Sequence, residues 1–216
     1  MIQLPRLYAI VDCHSRSERE TVHFAEELIA GGCTLIQYRN KSGNVREMLE
    51  QARELKRLFA GGAPGLVDFA RPWNSVRFIM NDRADLCLAA DFDGVHVGQD
   101  DLAPESVRKI IGPDRWLGVS THNPEQLREA DLTSADYLAI GPVFATSSKE
   151  KPDRVVGLEG VRRARALTRK PLVAIGGITR ANAVSVIEAG ADSVAVISDL
   201  LREPRKSAEE FLRLLE

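Results

Sequence analysis

The chain has 216 residues, a net charge of −2 and 44% hydrophobic residues. That length supports one large core, and the ordinary composition excludes fibrous, disordered and membrane-spanning chains. Near-neutral charge gives no global attraction for nucleic acid or an anionic membrane, so neither is expected as a partner.

The opening MIQLPRLYAIVDCHS has no long apolar run and no cleavage-type signal. Cys13, Cys33 and Cys87 show neither metal-ligand nor paired redox spacing. The expectation is a reduced, cytoplasmic protein whose cysteines are small packing residues. A homo-oligomer is allowed.

In chain order, Leu7 to Val11 predicts a strand ending at Asp12. Ser17 to Ala30 predicts a helix capped by Ser17, with Glu20 completing a capping box and Gly31-Gly32 stopping it. Leu35 to Arg39 is a second strand, and Asn44 to Ala60 an amphipathic helix. Gly61 to Ser75 is broken by Pro and Gly, but the alternation resumes after it, so no domain boundary is placed there. Phe78 to Met80 and Val95 to Val97 are short buried strands around a helix from Arg83 to Ala90. Pro104 to Ile111 is a helix with Pro at its start, followed by a strand from Trp116 to Ser120. Asn123 caps a helix from Pro124 to Leu132, and Tyr137 to Ile140 is a strand running into Gly141-Pro142. After a polar loop from Ala145 to Val156 come a helix (Leu158 to Leu167), a strand (Leu172 to Ile175) and Gly176-Gly177. A helix from Ala181 to Ala189, a strand from Ser193 to Ile197 and a helix from Ala208 to Leu215 close the chain. Asp93, Asp136 and Asp192 each stand just before a strand, in a shared helix-end, Asp, strand grammar.

Eight strand-helix units in this length predict an α/β fold, a TIM (β/α)8 barrel forming a single domain over residues 1–216. An open doubly wound sheet is the alternative, but Asp12-Cys13-His14 follows the first strand where a Gly-rich fingerprint would stand.

In a barrel, chemistry sits at the C-terminal strand ends. Asp82 and one of Asp100 and Asp101 would then face one space, where two carboxylates need a cation between them. Oxygen-only ligands point to Mg²⁺ completed by substrate phosphates. The plain alternative makes Asp82 a helix cap and Asp101 the start of the next helix. Gln37, Arg39 and Lys41 share one side of an extended chain and can reach one anion together. Gly176-Gly177 and Ile197-Ser198 lie after the seventh and eighth strands, where many barrels bind phosphate. His122 is read first as an orienting or packing residue and second as an acid-base group. The strand ends hold cations and carboxylates, with no nucleophile-base pair evident.

Several stretches together carry a specific resemblance. They are Gln37-x-Arg39-x-Lys41, Ile79-Met80-Asn81-Asp82, Gly94 to Asp101, Leu117 to Ser120, Gly141-Pro142-Val143-Phe144 with Thr146 to Lys149, and Ile175 to Ile178. In that order, over nearly the whole chain, they resemble the thiamine phosphate synthase family. The resemblance implies a TIM barrel that joins hydroxymethylpyrimidine diphosphate to a thiazole phosphate or its carboxylated form, releasing pyrophosphate. It implies a dissociative path through a pyrimidine carbocation. It implies Mg²⁺ on Asp82 and Asp101. Gln37, Arg39, Lys41, Asn81, Ser120 and Lys149 would form the pyrimidine diphosphate site, with Lys149, Arg39 and Ser120 closest to catalysis. Thr146, Ser147, Ser148, Gly177, Ile197 and Ser198 would hold the thiazole phosphate. The chain departs from the family in Ala145-Thr146-Ser147-Ser148-Lys149, where Pro-Thr-x-Thr-Lys is usual; Ser keeps the hydroxyl. Two rivals are a thiazole tautomerase of the same barrel family and a non-catalytic barrel binding thiamine intermediates. Asp82, Asp101 and Lys149 together speak for the synthase.

Overall fold

Short apolar runs buried on both faces need helices on one side and each other on the other. The computed structural model, which describes residues 2–13, 17–60, 76–146 and 153–216, shows how the chain meets that need. Among the described residues, β1 (Leu7–Asp12), β2 (Leu35–Arg39), β3 (Arg77–Asn81), β4 (Gly94–Val97), β5 (Trp116–Thr121), β6 (Tyr137–Ile140), β7 (Leu172–Ile175) and β8 (Ser193–Val196) form a closed barrel in sequence order. Every pair is parallel, and β8 returns to β1 with Leu7 beside Val194. Closure rules out the open doubly wound alternative. The helices are α1 (Glu18–Ala30), α2 (Val45–Ala60), α3 (Ala84–Ala89), α4 (Pro104–Ile111), α5 (Pro124–Asp131), α6 (Gly157–Leu167), α7 (Ala183–Glu188) and α8 (Pro204–Leu215). None among the described residues is long and apolar enough to cross a membrane.

The two-residue period of each strand divides the core in two. In β1, Leu7, Ala9 and Val11 join the layer shared with the helices, while Tyr8 and Ile10 point into the barrel. Leu35, Ile79, Tyr137, Val173 and Ala195 fill the interior beside them. The barrel is therefore packed below its mouth. The three cysteines are buried and free, in keeping with their reading as packing residues.

Caps behave as their chemistry requires. The Ser17 side chain accepts the Glu20 amide, and the Glu20 carboxylate accepts the Ser17 amide at 2.8 Å. The Asn123 side chain accepts the Gln126 amide at 2.9 Å. Helix α8 opens a turn earlier than its apolar pattern predicts, at Pro204, where a missing amide costs nothing. Helix α7 is shorter than predicted because the Asn182 carboxamide closes a turn on the Thr179 amide at 2.8 Å. The broken segment 61–75 lies outside the described residues.

The repeated aspartates have one structural role. Asp93, Asp136 and Asp192 accept the amides of Phe78, Leu117 and Leu172, at 2.9, 2.8 and 2.8 Å. Each also pairs with a cation from a helix: Lys56 at 3.1 Å, Arg108 at 2.6 Å and Arg165 at 2.9 Å. Each aspartate thus ties the start of the preceding strand to a flanking helix, at the barrel end away from the chemistry.

Candidate active site

Because all eight strands run parallel, their C-terminal ends open onto one face, and a cavity of about 480 Å³ lies there. That volume suits a small ligand. The cavity is lined by Gln37, Arg39, Lys41, Asn81, Asp82, Asp101, Ser120, Thr146, Gly177, Ile197 and Ser198, so the barrel brings these predicted residues together. Ser147, Ser148 and Lys149 lie outside the described residues.

The charged wall starts on β2. Arg39 pairs with Asp12 of β1, and Lys41 pairs with Asp82 just beyond β3. One ion pair uses a fraction of the five donors of a guanidinium or the three of an ammonium. Both cations keep donors for an anion.

Asp82 has a left-handed backbone, φ 63°, and its amide donates to the His96 carbonyl at 2.8 Å. It does not cap α3; the residue at that position, Arg83, makes no side-chain cap. Asp101 does not start α4 either, since Ala103 precedes Pro104 there. Its carboxylate folds back onto the Gly98 amide at 2.7 Å. Withdrawal from water raises the Asp101 carboxyl above the ordinary range; the Gly98 amide opposes this, and the charge of Asp82 adds to it. The two carboxylates therefore share one space, and a divalent cation would relieve their repulsion. Among the described residues no cluster of three or more His, Cys, Asp or Glu forms a metal cage. Two carboxylates completed by substrate phosphates is the donor set that suits Mg²⁺.

Across the mouth, the Ser120 hydroxyl lies 2.8 Å from His96 Nε2. This serine-histidine contact, made by barrel closure, has the look of a nucleophile-base pair but does not act as one. It is not a working base, because burial pushes the His96 imidazole down to about 4. A base that weak is a poor acceptor for a serine proton near neutral pH. Its other nitrogen faces the Tyr137 hydroxyl at 3.1 Å, and burial outweighs the opposing charge of Asp101. His122 Nδ1 donates to the Gly141 carbonyl at 2.7 Å, and Nε2 lies 3.5 Å from Asp153.

The opposite wall is built from the turns after β7 and β8. Gly176 and Gly177 have φ 102° and 62°. A Cβ on Gly177 would stand 2.5 Å from the Ala145 carbonyl oxygen and 2.8 Å from Phe144 Cβ. Glycine is thus required there by the chain's own packing, before any ligand is considered. A 3₁₀ turn, Ser198–Leu200, follows β8. The Asp199 carboxylate accepts the Arg180 amide at 2.8 Å and its Nε at 3.0 Å, which braces the two turns against each other. This is the common barrel arrangement for a phosphate, with backbone amides and a short helical turn.

Three residues that matter here carry no functional signal in the sequence: His96, Tyr8 and Tyr137 read as strand residues. The available signal was parity: Tyr8 lies two residues before Ile10 and four before Asp12, on the interior side.

Comparison with known proteins adds an independent line. A family profile described as thiamine monophosphate synthase matches residues 7–200. A thiamine-phosphate synthase of Koribacter versatilis is 57% identical over 99% of this chain and 97% of its own length. One from Shouchella clausii is 41% identical over 98% of this chain and 96% of its own. The solved thiamine phosphate pyrophosphorylase of Pyrococcus furiosus superposes with a TM-score of 0.81 at 34% identity, covering 97% of this chain and 96% of that one.

Proposed function

The chain belongs to the thiamine monophosphate synthase family, and from that premise we propose how its own residues carry out the transfer. It is a transferase that makes thiamine phosphate. The single observation behind the residue roles is the mouth itself, where Arg39 and Lys41 stand beside Asp82 and Asp101.

The pyrimidine diphosphate lies with its phosphates against Arg39 and Lys41. Its ring lies against Ser120 and Gln37, above the apolar floor made by Ile10, Ala139 and Ile175. Mg²⁺ held by Asp82 and Asp101 would neutralise charge on the departing pyrophosphate. The methylene carbon-oxygen bond breaks and its electron pair leaves with pyrophosphate. The resulting pyrimidine carbocation is captured by the lone pair of the thiazole nitrogen, giving the thiazolium of the product. No protein nucleophile enters, so catalysis is charge stabilisation and positioning. The thiazole phosphate sits in the cup of Gly177, Ile197 and Ser198, with Thr146 beside it. The tautomerase reading would use His122 Nε2 as an acid-base group, with Nδ1 held by a backbone carbonyl; Asp82 and Asp101, which that chemistry does not need, favour the synthase.

The deciding experiment supplies both substrates with Mg²⁺ and follows pyrophosphate release. Turnover is expected to vanish on chelation and to return with added Mg²⁺. Full turnover after thorough chelation would refute the metal role of the two aspartates.

A further inference from the structure

Beneath the mouth a chain of side chains crosses the barrel. Gln37 Nε2 donates to the Tyr8 hydroxyl at 2.9 Å, and the Tyr8 and Tyr137 hydroxyls are 3.0 Å apart. The Tyr137 hydroxyl lies 3.1 Å from His96 Nδ1, and His96 Nε2 lies 2.8 Å from Ser120 Oγ. Five strands contribute one member each, and every member except Ser120 is buried.

The sense of each bond follows from one constraint: a carboxamide nitrogen only donates. The Tyr8 oxygen accepts from Gln37, so the Tyr8 proton goes to the Tyr137 oxygen. The Tyr137 proton then goes to His96 Nδ1. A neutral imidazole that accepts at Nδ1 carries its proton on Nε2 and donates it to Ser120 Oγ. The reverse sense would leave the Tyr8 proton buried without an acceptor, which folded proteins avoid. Ser120 therefore spends one of its two acceptor lone pairs on His96 and keeps its own proton for the cavity.

Gly118 protects this arrangement. A Cβ there would run into both the Tyr137 ring and the His96 imidazole. The two rings pack with centroids 5.5 Å apart over the space it leaves.

We propose that Tyr8, Tyr137 and His96 are positioning residues that fix the Ser120 hydroxyl as a donor to a ring nitrogen of the pyrimidine substrate. This rests on the reading that the pyrimidine lies against Ser120. The relay makes Ser120 selective for an acceptor: a ring that offers a lone pair is held, and one that offers N–H or C–H leaves the serine proton unpaired.

Tyr137 gives the clean test, because it lies below the residues that line the cavity and reaches the substrate only through its neighbours. Steady-state kinetics would be measured for Tyr137→Phe, Ser120→Ala and the double variant, with thermal melting to check folding. Tyr137→Phe is expected to lower kcat/KM for the pyrimidine diphosphate about five- to tenfold, the size of one neutral hydrogen bond. The KM for the thiazole phosphate should be unchanged. In the Ser120→Ala background the same change should have no further effect. A role in packing alone would give independent, multiplying losses in the double variant and would overturn the relay. So would normal kinetics in Tyr137→Phe when Ser120→Ala is impaired. If Ser120→Ala is itself silent, the placement of the pyrimidine fails and the relay with it. Should Tyr137→Phe not fold, Tyr8→Phe breaks the next link; because Tyr8 lines the cavity, it is read only through its double variant with Ser120→Ala, where the relay again predicts no further loss.

Discussion

Replacing Asp82 with Asn separates catalysis from folding at one position. Asn keeps the size of the side chain and tolerates the left-handed backbone, φ 63°, that Asp82 holds. What is lost is one negative charge. Its partner Lys41 has a side chain 47% exposed, so the ion pair behaves as a surface pair. Such pairs contribute about 0.2–1 kcal/mol, which in a chain of this size moves Tm by no more than roughly 2–4 °C. The catalytic loss is far larger. Removing one preorganised charge where the leaving group gathers charge costs about 3 kcal/mol, or about a hundredfold in kcat. Asp82→Ala should lose the same activity but a further 1–2 kcal/mol or so of stability, because Ala pays a steric penalty at positive φ. The assay is pyrophosphate release at saturating substrates over a Mg²⁺ titration, beside a thermal melt. The Asn variant should need more Mg²⁺ and turn over about a hundredfold more slowly. Turnover within twofold of the parent protein would refute the metal role, and a collapsed melt in the Asn variant would show that Asp82 is structural.

Three further outcomes test other parts of the molecule. Gly177→Val should raise KM for the thiazole phosphate strongly and leave that for the pyrimidine diphosphate nearly unchanged; here the added side chain strikes Ala145 and Phe144 and displaces the turn, so the reverse pattern would show the two sites assigned the wrong way round. His96 is held neutral by burial, down to about 4, so the folded state takes up its proton later than the unfolded one. Its share of stability is complete above about pH 6.5 and falls as pH drops to about 4, by about 3 kcal/mol, a loss that His96→Gln should remove from a pH series of denaturation curves. Asp136→Ala should cost about 2–4 kcal/mol, because the Leu117 amide and the Arg108 guanidinium both lose their acceptor, and should leave kcat unchanged; an altered kcat would argue against assigning that barrel end to stability alone.

Much of this protein is legible without coordinates. Helix starts at Ser17, Pro104 and Asn123 are local chemistry, as are the stops at glycine, so these boundaries agree with the fold within a residue or so. The short apolar strands, repeated at even spacing, leave little but a closed parallel barrel to bury them. Once the barrel is inferred, strand-end position alone gathers Arg39, Asp82, Asp101, Ser120 and Gly177 at one mouth, and the cavity contains them all.

Contacts between strands were beyond that reach. Arg39 with Asp12 and Lys41 with Asp82 are pairs made by barrel register, which brings residues of different strands side by side. The repeat of Asp93, Asp136 and Asp192 was visible as a pattern, yet its role as a tie between strand start and helix needed the fold. The same holds for Gly177, whose need for glycine comes from Ala145 and Phe144, far earlier in the chain. Above all, residues 8, 37, 96, 120 and 137 meet only because the sheet closes. Sequence periodicity determines which side of a strand faces the interior. Only closure determines which interior side chains lie within hydrogen-bond reach, because that depends on the stagger and radius of the whole barrel.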